Sequence, residues 1–214
     1  LIEAKKLAYA DLGRFVGDAD HLTAPASYLT SDAFIAERRS HIDEHKAQLH
    51  VDPGPARTSS ETVYLTVADK DGNMVSFINS LFDEFGSGVV VPGTGFALHD
   101  RGAGFTMEPN LPNTVAPGKR PFHTLIPGFV TKPGANSAAD GTGDEPWMSF
   151  GLMGGAMQAQ GHAQFLINLL VFGNNVQEAM DVGRFRHMNG TNMIVEPAIT
   201  DSVIAQLRAL GHEV

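Results

Sequence analysis

The chain has 214 residues, 43% of them hydrophobic and 18% charged, with a formal net charge of −9 and no cysteine. That length and composition fit one globular domain with a sizeable core. The negative balance, with no basic cluster to offset it, excludes attraction to nucleic acid or to an anionic membrane surface, and the missing thiols exclude disulfides, thiolate catalysis and thiolate metal sites.

In chain order, residues 2 to 15 read as an amphipathic helix, with Ile2, Leu7, Ala10 and Phe15 at roughly helical spacing and Glu3, Lys5, Lys6 and Asp11 between them. Ala24-Pro25-Ala26 breaks the pattern, and Ser31 is placed to cap a second helix through Phe34, Ile35, Arg38 and Arg39 to about Ile42. From Val51 to Glu61 the chain is rich in Pro, Gly, Thr and Ser, the composition of an exposed, mobile connector. It delivers the chain to Thr62.

Val63, Leu65 and Val67 then alternate with Thr62, Tyr64 and Thr66, the period of a half-buried strand. Asp71-Gly72 supplies a hairpin turn, and Met74, Val75 and Phe77 begin the return strand. Short strands are expected at Val89–Val91 and Phe96–Leu98, a long Gly, Pro and Asn-rich loop over 100–121, and buried strands at Leu125–Thr131 and Trp147–Leu152. After Gly154-Gly155 come helices at about Gln160–Phe172, Val176–Val182 and Thr200–Leu210. Helices, then a block of turn-linked strands, then helices again indicate a layered α+β domain with antiparallel sheets. No apolar run approaches the length of a membrane span.

A threonine hydroxyl is a weak nucleophile that needs an adjacent base. A threonine that begins a chain has one in its own α-amine. A connector running into a rigid strand at Thr62 is the layout that a cut before that residue would use, although many loop-to-strand junctions share it. Metal binding is not expected. The nine His residues are scattered, and Asp69, Asp71 and Asn73 have their Gly too early for a calcium loop and no Glu at its final position. No cofactor is expected either, since no Gly-Lys-Ser/Thr follows Gly154-Gly155.

The run Thr62-Val63-Tyr64-Leu65-Thr66-Val67-Ala68-Asp69-Lys70-Asp71-Gly72-Asn73, with Phe85-Gly86-Ser87-Gly88, Pro117-Gly118-Lys119-Arg120-Pro121 and Gly154-Gly155, resembles the γ-glutamyltransferase family of N-terminal-nucleophile hydrolases. Residues 2–11 resemble the end of that family's large subunit, and Glu178 through Phe185 part of its small one. The resemblance implies an αββα sandwich: two stacked, mainly antiparallel sheets flanked by helices. It implies that residues 1–61 are the tail of a large subunit, with a pre-cleavage linker over about 51–61, and that 62–214 are most of a small, catalytic subunit. The rest of the large subunit would then be a partner and the C-terminus truncated.

Position by position, the resemblance makes Thr62 the processing site and nucleophile, Ser80 a hydroxyl bonded to it, and Gly154 and Gly155 the backbone donors of an oxyanion hole; an ordinary strand-to-helix turn is the other reading of the glycine pair. Phe82, Ala103-Gly104 and His123-Thr124 stand where the family has its glutamyl-binding Asn, acidic pair and paired serines. Those replacements resemble the γ-glutamyltransferase-like amidohydrolases, among them oxamate amidohydrolase, and imply a small acyl amide as substrate, with His123 and Thr124 at its acyl end. For His123 a structural hydrogen bond stays open. Asn79 either bonds near the nucleophile or satisfies a strand edge, and His162 is read as structural. A γ-glutamyl hydrolase or transpeptidase with an altered pocket, and a catalytically silent homologue, are the alternatives. The sequence does not fix the compartment: the cytoplasm is slightly favoured over periplasm or secretion, and a homo-oligomer is left open.

Overall fold

The computed structural model describes residues 1–49 and 61–214. The connector expected over 51–61 lies outside the described residues except for Glu61. The helices are α1 (Ile2–Phe15), α2 (Ala26–Leu29), α3 (Asp32–Ser40), α4 (Met157–Leu170), α5 (Val176–Asp181) and α6 (Asp201–Ala209), and the strands are β1 (Glu61–Ala68), β2 (Met74–Phe82), β3 (Gly128–Lys132), β4 (Glu145–Phe150), β5 (Phe185–His187) and β6 (Met193–Val195). Every ladder is antiparallel: β1 with β2, β3 with β4, β5 with β6. Val89–Val91 and Phe96–Leu98 reduce to a single bridge between Val90 and Ala97 rather than two strands. No helix among the described residues is long and apolar enough to cross a membrane.

The chain packs as two compact units, each drawn from separate stretches of sequence. The first is Leu1–Ala56, Arg101–His123 and Gln164–Val214. The buried hydrophobic side chains among the described residues, Leu7, Ala47, Phe165, Ala179 and Met193, belong to it. Helix α1 departs from its expected pattern, because the buried residues are Glu3, Lys5, Lys6 and Asp11 beside Leu7. Charge can be buried when it is paired, and here it is. Lys6 Nζ lies 2.8 Å from Glu3 Oε1 and donates to the Gln48 carbonyl at 2.7 Å. Asp11 pairs with Arg38 of α3. Lys5 Nζ lies 2.8 Å from His187 Nδ1. An ammonium can only donate, so His187 accepts there and its Nε2–H donates to Gly190 O at 2.9 Å. Ser31 caps α3 as expected, accepting from Phe34 N at 3.3 Å.

The β5–β6 hairpin was not anticipated from the sequence. Its strands are three residues long, too short for periodicity, yet Asn189-Gly190 between them is a turn signal, and Gly190 takes φ 51°. Asn113 folds the 101–123 loop by donating from Nδ2 to Gly104 O at 2.7 Å and accepting from Phe122 N at 2.9 Å. Arg120 grips Asp18 through its backbone N (2.8 Å), Nε (3.1 Å) and Nη2 (2.7 Å), which holds the Asp18 carboxyl far below the usual carboxylate range.

The second unit is Arg57–Asp100 and Thr124–Ala163. Its β1–β2 ladder pairs Thr62 with Ser80, Tyr64 with Ile78 and Thr66 with Ser76. Five residues, 69–73, close the hairpin, with Gly72 at φ 84° and Asp69 accepting from the Asp71 and Asn73 nitrogens at 2.9 Å each. The face carrying Thr62, Tyr64 and Thr66 is the inner one. Thr66 Oγ1 hydrogen-bonds Ser149 Oγ, Ser76 Oγ donates to Phe150 O at 3.3 Å, and a Cβ on Gly151 would lie 2.4 Å from the Tyr64 ring. The apolar set Val63, Leu65 and Val67 is exposed, the reverse of what alternation alone implies. Strands β3 and β4 are half-exposed rather than buried, with Phe129 53% and Trp147 37% accessible.

Candidate active site

Thr62 and Ser80 are brought together by register. The ladder is symmetric about the Asp71 turn, so Thr62 faces Ser80, and Thr62 Oγ1 donates to Ser80 Oγ at 3.1 Å. The register slips between Glu61 and Thr62, so that Glu61 faces Phe82 and Leu81 is the extra residue of a bulge. Phe82 sits at φ 84°, a strained value for a bulky side chain, and its N–H donates to Ser80 Oγ at 2.9 Å. Ser80 thus accepts two hydrogen bonds, one from the Thr62 hydroxyl and one from a backbone amide.

Ser149 bonds Thr66, Phe150 O accepts from Ser76 and Gly151 approaches the Tyr64 ring, so the chain from 149 to 151 lies on the inner face of the β1–β2 ladder. Gly154 (φ 120°) and Gly155 (φ 55°) follow, and their carbonyls accept from Met157 and Gln158 nitrogens at 3.0 Å each, opening α4. Among the described residues their own N–H groups donate to no carbonyl. The turn is braced by His162, whose Nε2 accepts from Leu152 N at 3.0 Å and whose ring packs 4.7 Å from Phe150. Burial holds the His162 imidazole below its ordinary pKa, which keeps it a neutral acceptor.

Asn79 pairs with Val63 and, by strand alternation, projects from the face opposite Thr62 and Ser80. His123 ends the first unit and Thr124 begins a stretch of the second. The His123 pKa is lowered by desolvation and by the charge of Arg101. Reasoning from the sequence passed over Arg101, a buried arginine in the 3-10 turn Arg101–Gly104; the signal was an arginine directly before Gly102-Ala103-Gly104. It also passed over the support that Phe82 gives Ser80, whereas the structural reading of His162 agrees with its bond to Leu152 N. No group of three or more His, Cys, Asp or Glu among the described residues is placed to hold a metal ion.

The Gamma-glutamyltranspeptidase sequence profile matches residues 1–214. The chain belongs to the γ-glutamyltranspeptidase family. It is 33% identical over 219 residues to the oxamate amidohydrolase proenzyme of Klebsiella pneumoniae, covering 100% of this chain and 39% of that protein. It is 30% identical to the glutathione hydrolase proenzyme of Escherichia coli, covering 100% and 38%. Among solved structures, cephalosporin acylase from Bacillus halodurans superposes with a TM-score of 0.85 at 43% identity, over 99% of this chain and 36% of that one. The fold is therefore the α+β fold of the N-terminal-nucleophile hydrolases. The chain spans less than two-fifths of the length of each of these relatives.

Proposed function

We propose that this chain is the core of an N-terminal-nucleophile amidohydrolase, made as a precursor, cut before Thr62, and acting on a small amide through an acyl-Thr62 ester. The observation that supports it is the Thr62–Ser80 hydroxyl pair at the mouth of β1, in the same unit as two successive glycine N–H groups that donate to no carbonyl among the described residues. In the cut, Thr62 Oγ1 adds to the Glu61 carbonyl carbon, the Glu61–Thr62 C–N bond breaks, and the hydroxyl proton ends on the freed nitrogen. Water then hydrolyses the ester, leaving the Glu61 carboxylate and a free α-amine on Thr62. In turnover that amine is the base: Oγ1 attacks the substrate carbonyl carbon, the amide C–N bond breaks as the proton passes to the leaving amine, and water hydrolyses the acyl ester, while the Gly154 and Gly155 amides hold the developing oxyanion, each donor contributing on the order of 3 kcal/mol.

A small acyl group is favoured over γ-glutamyl by the residues at the binding positions, with His123 and Thr124 assigned to the acyl end. Phe82 offers no polar side chain where the resemblance calls for Asn, and a glutamyl ammonium lacking a carboxylate partner would cost several kcal/mol. The remainder of the large subunit is the expected partner. The deciding experiment is denaturing electrophoresis of the full-length protein and its Thr62→Ala variant, followed by a screen of small amides against a γ-glutamyl anilide. Two bands from the wild type, one from the variant and turnover of small amides are expected. An uncut wild type sinks the proposal, and turnover of the anilide alone moves the substrate to the glutamyl class.

A further inference from the structure

The Thr62–Ser80 pair depends on a backbone shape that its own strands do not enforce. Past Ser80 the ladder bulges at Leu81, and Phe82 is turned to φ 84°. A phenylalanine does not hold that conformation unless its surroundings impose it. What imposes it here is a loop returning to the strand end. Asp100 N donates to Leu81 O at 3.1 Å, and Asp100 Oδ1 accepts from Asp83 N at 3.2 Å. One residue therefore grips the chain on both sides of Phe82.

The intervening loop delivers Asp100 to that place. Ser87 donates to Leu98 O twice, from N and from Oγ, at 2.9 Å each, and Leu98 N donates to Val89 O at 2.9 Å. Val91 N donates to Phe96 O at 3.0 Å, which closes the far end. The stretch from 83 to 100 is a tied loop whose two ends meet at Asp83 and Asp100, all of it within the second unit.

The geometry points to Asp100 as a positioning residue for the nucleophile. By holding Leu81 O and Asp83 N it keeps Phe82 in its strained conformation. In that conformation the Phe82 N–H fills one lone pair of Ser80 Oγ at 2.9 Å, and the hydroxyl is oriented so that its other lone pair receives the Thr62 proton at 3.1 Å. Without the grip Phe82 relaxes toward negative φ, its N–H swings away, and Ser80 Oγ loses that donor. Thr62 then loses a fixed partner for its proton while every atom of the reacting set is still present. Asp100 touches neither Thr62 nor Ser80 in this chain of bonds and acts through Phe82. What it needs is an acceptor oxygen at that spot, which an amide supplies as well as a carboxylate.

This inference rests on the cut before Thr62. The test measures the rate of that cut in the full-length precursor of wild type, Asp100→Ala and Asp100→Asn, with thermal midpoints alongside and amide hydrogen exchange at Phe82 in a Thr62→Ala background. Asp100→Ala is expected to slow the cut about 10²-fold, the scale on which small misplacements act, and to deprotect the Phe82 amide. Asp100→Asn is expected to restore both. In the mature enzyme the loss should fall on kcat with KM unchanged. A wild type that cuts while Asp100→Ala cuts equally fast overturns the inference alone, as does Asp100→Asn behaving like Asp100→Ala. Slowing that tracks a lowered midpoint, with Phe82 still protected, reduces Asp100 to a structural residue. A wild type that does not cut overturns the proposed function and this inference together.

Discussion

The surroundings of Thr62 and the surroundings of α1 solve opposite problems. Around Thr62 the contacts described above are neutral: hydroxyl to hydroxyl and backbone amide to hydroxyl. Around α1 they are charged and buried, with Lys6 1% and Asp11 9% exposed. A neutral hydrogen bond contributes about 1 kcal/mol net and can be re-formed in another geometry. Removing one partner of a buried charged pair costs several times more, because the other charge cannot leave. One region is therefore arranged for chemistry that tolerates rearrangement, the other for holding segments of chain in place, and damage to each should read out differently.

Thr62→Ala gives the sharpest contrast. It should abolish the cut and all turnover while lowering stability by only about 1 kcal/mol, measured by gel and by denaturant melt. Lys6→Ala inverts it: Glu3, 11% exposed at its side chain and 2.8 Å from Lys6, loses its lysine and keeps the Gln48 amide at 3.3 Å, and stability should fall by about 3–5 kcal/mol in the same melt. Should Lys6→Ala prove as stable as wild type, the contrast between the regions fails. Gly154→Ala lies between them. Its φ of 120° strains any side chain, and a new Cβ would sit 3.3 Å from the Met157 Cβ. Tilting one donor amide should cost about 10²-fold in kcat with little change in KM.

The smallest effect is acid sensitivity. His123, His162 and His212 all have folded-state pKa values below the ordinary 6.5, first of all because of burial. The unfolded chain then takes up protons before the folded one, so stability should be level above about pH 7 and fall as pH drops below 6.5. Thermal midpoints from pH 8 to 5 measure it. His162→Gln, which keeps an acceptor for the Leu152 amide but cannot titrate, should flatten part of the slope; an unchanged slope would remove His162 from the account.

The hairpin of the second unit could be read in advance, but its register could not. Counting out from a two-residue Asp71-Gly72 turn sets Thr62 opposite Leu81; the five-residue loop 69–73 shifts the register by one and sets Ser80 there. Which face of β1 turns inward could not be read, because alternation gives the period and not the direction. Contacts 83 residues away, Thr66 to Ser149, decide it. The charged interior of α1 was illegible for the same reason: Lys5 and His187 are 182 positions apart, and helical spacing alone sends such residues to solvent. The strain at Phe82 left no local trace, since an aromatic residue at a strand end is ordinary until its dihedral angle is known.

The long-range polar contacts of the first unit also bear on molecularity. Lys5 and Asp18 precede Thr62 in sequence, whereas His187 and Arg120 come after it. A precursor brings these groups together within a single polymer, and its melting midpoint is independent of dilution. Once severed at that threonine, the same contacts join two species, and the midpoint should climb with protein concentration as mass action requires. Maturation would thus trade a first-order refolding problem for a second-order one, and dilute mature enzyme that melts would not reassemble as its parent does.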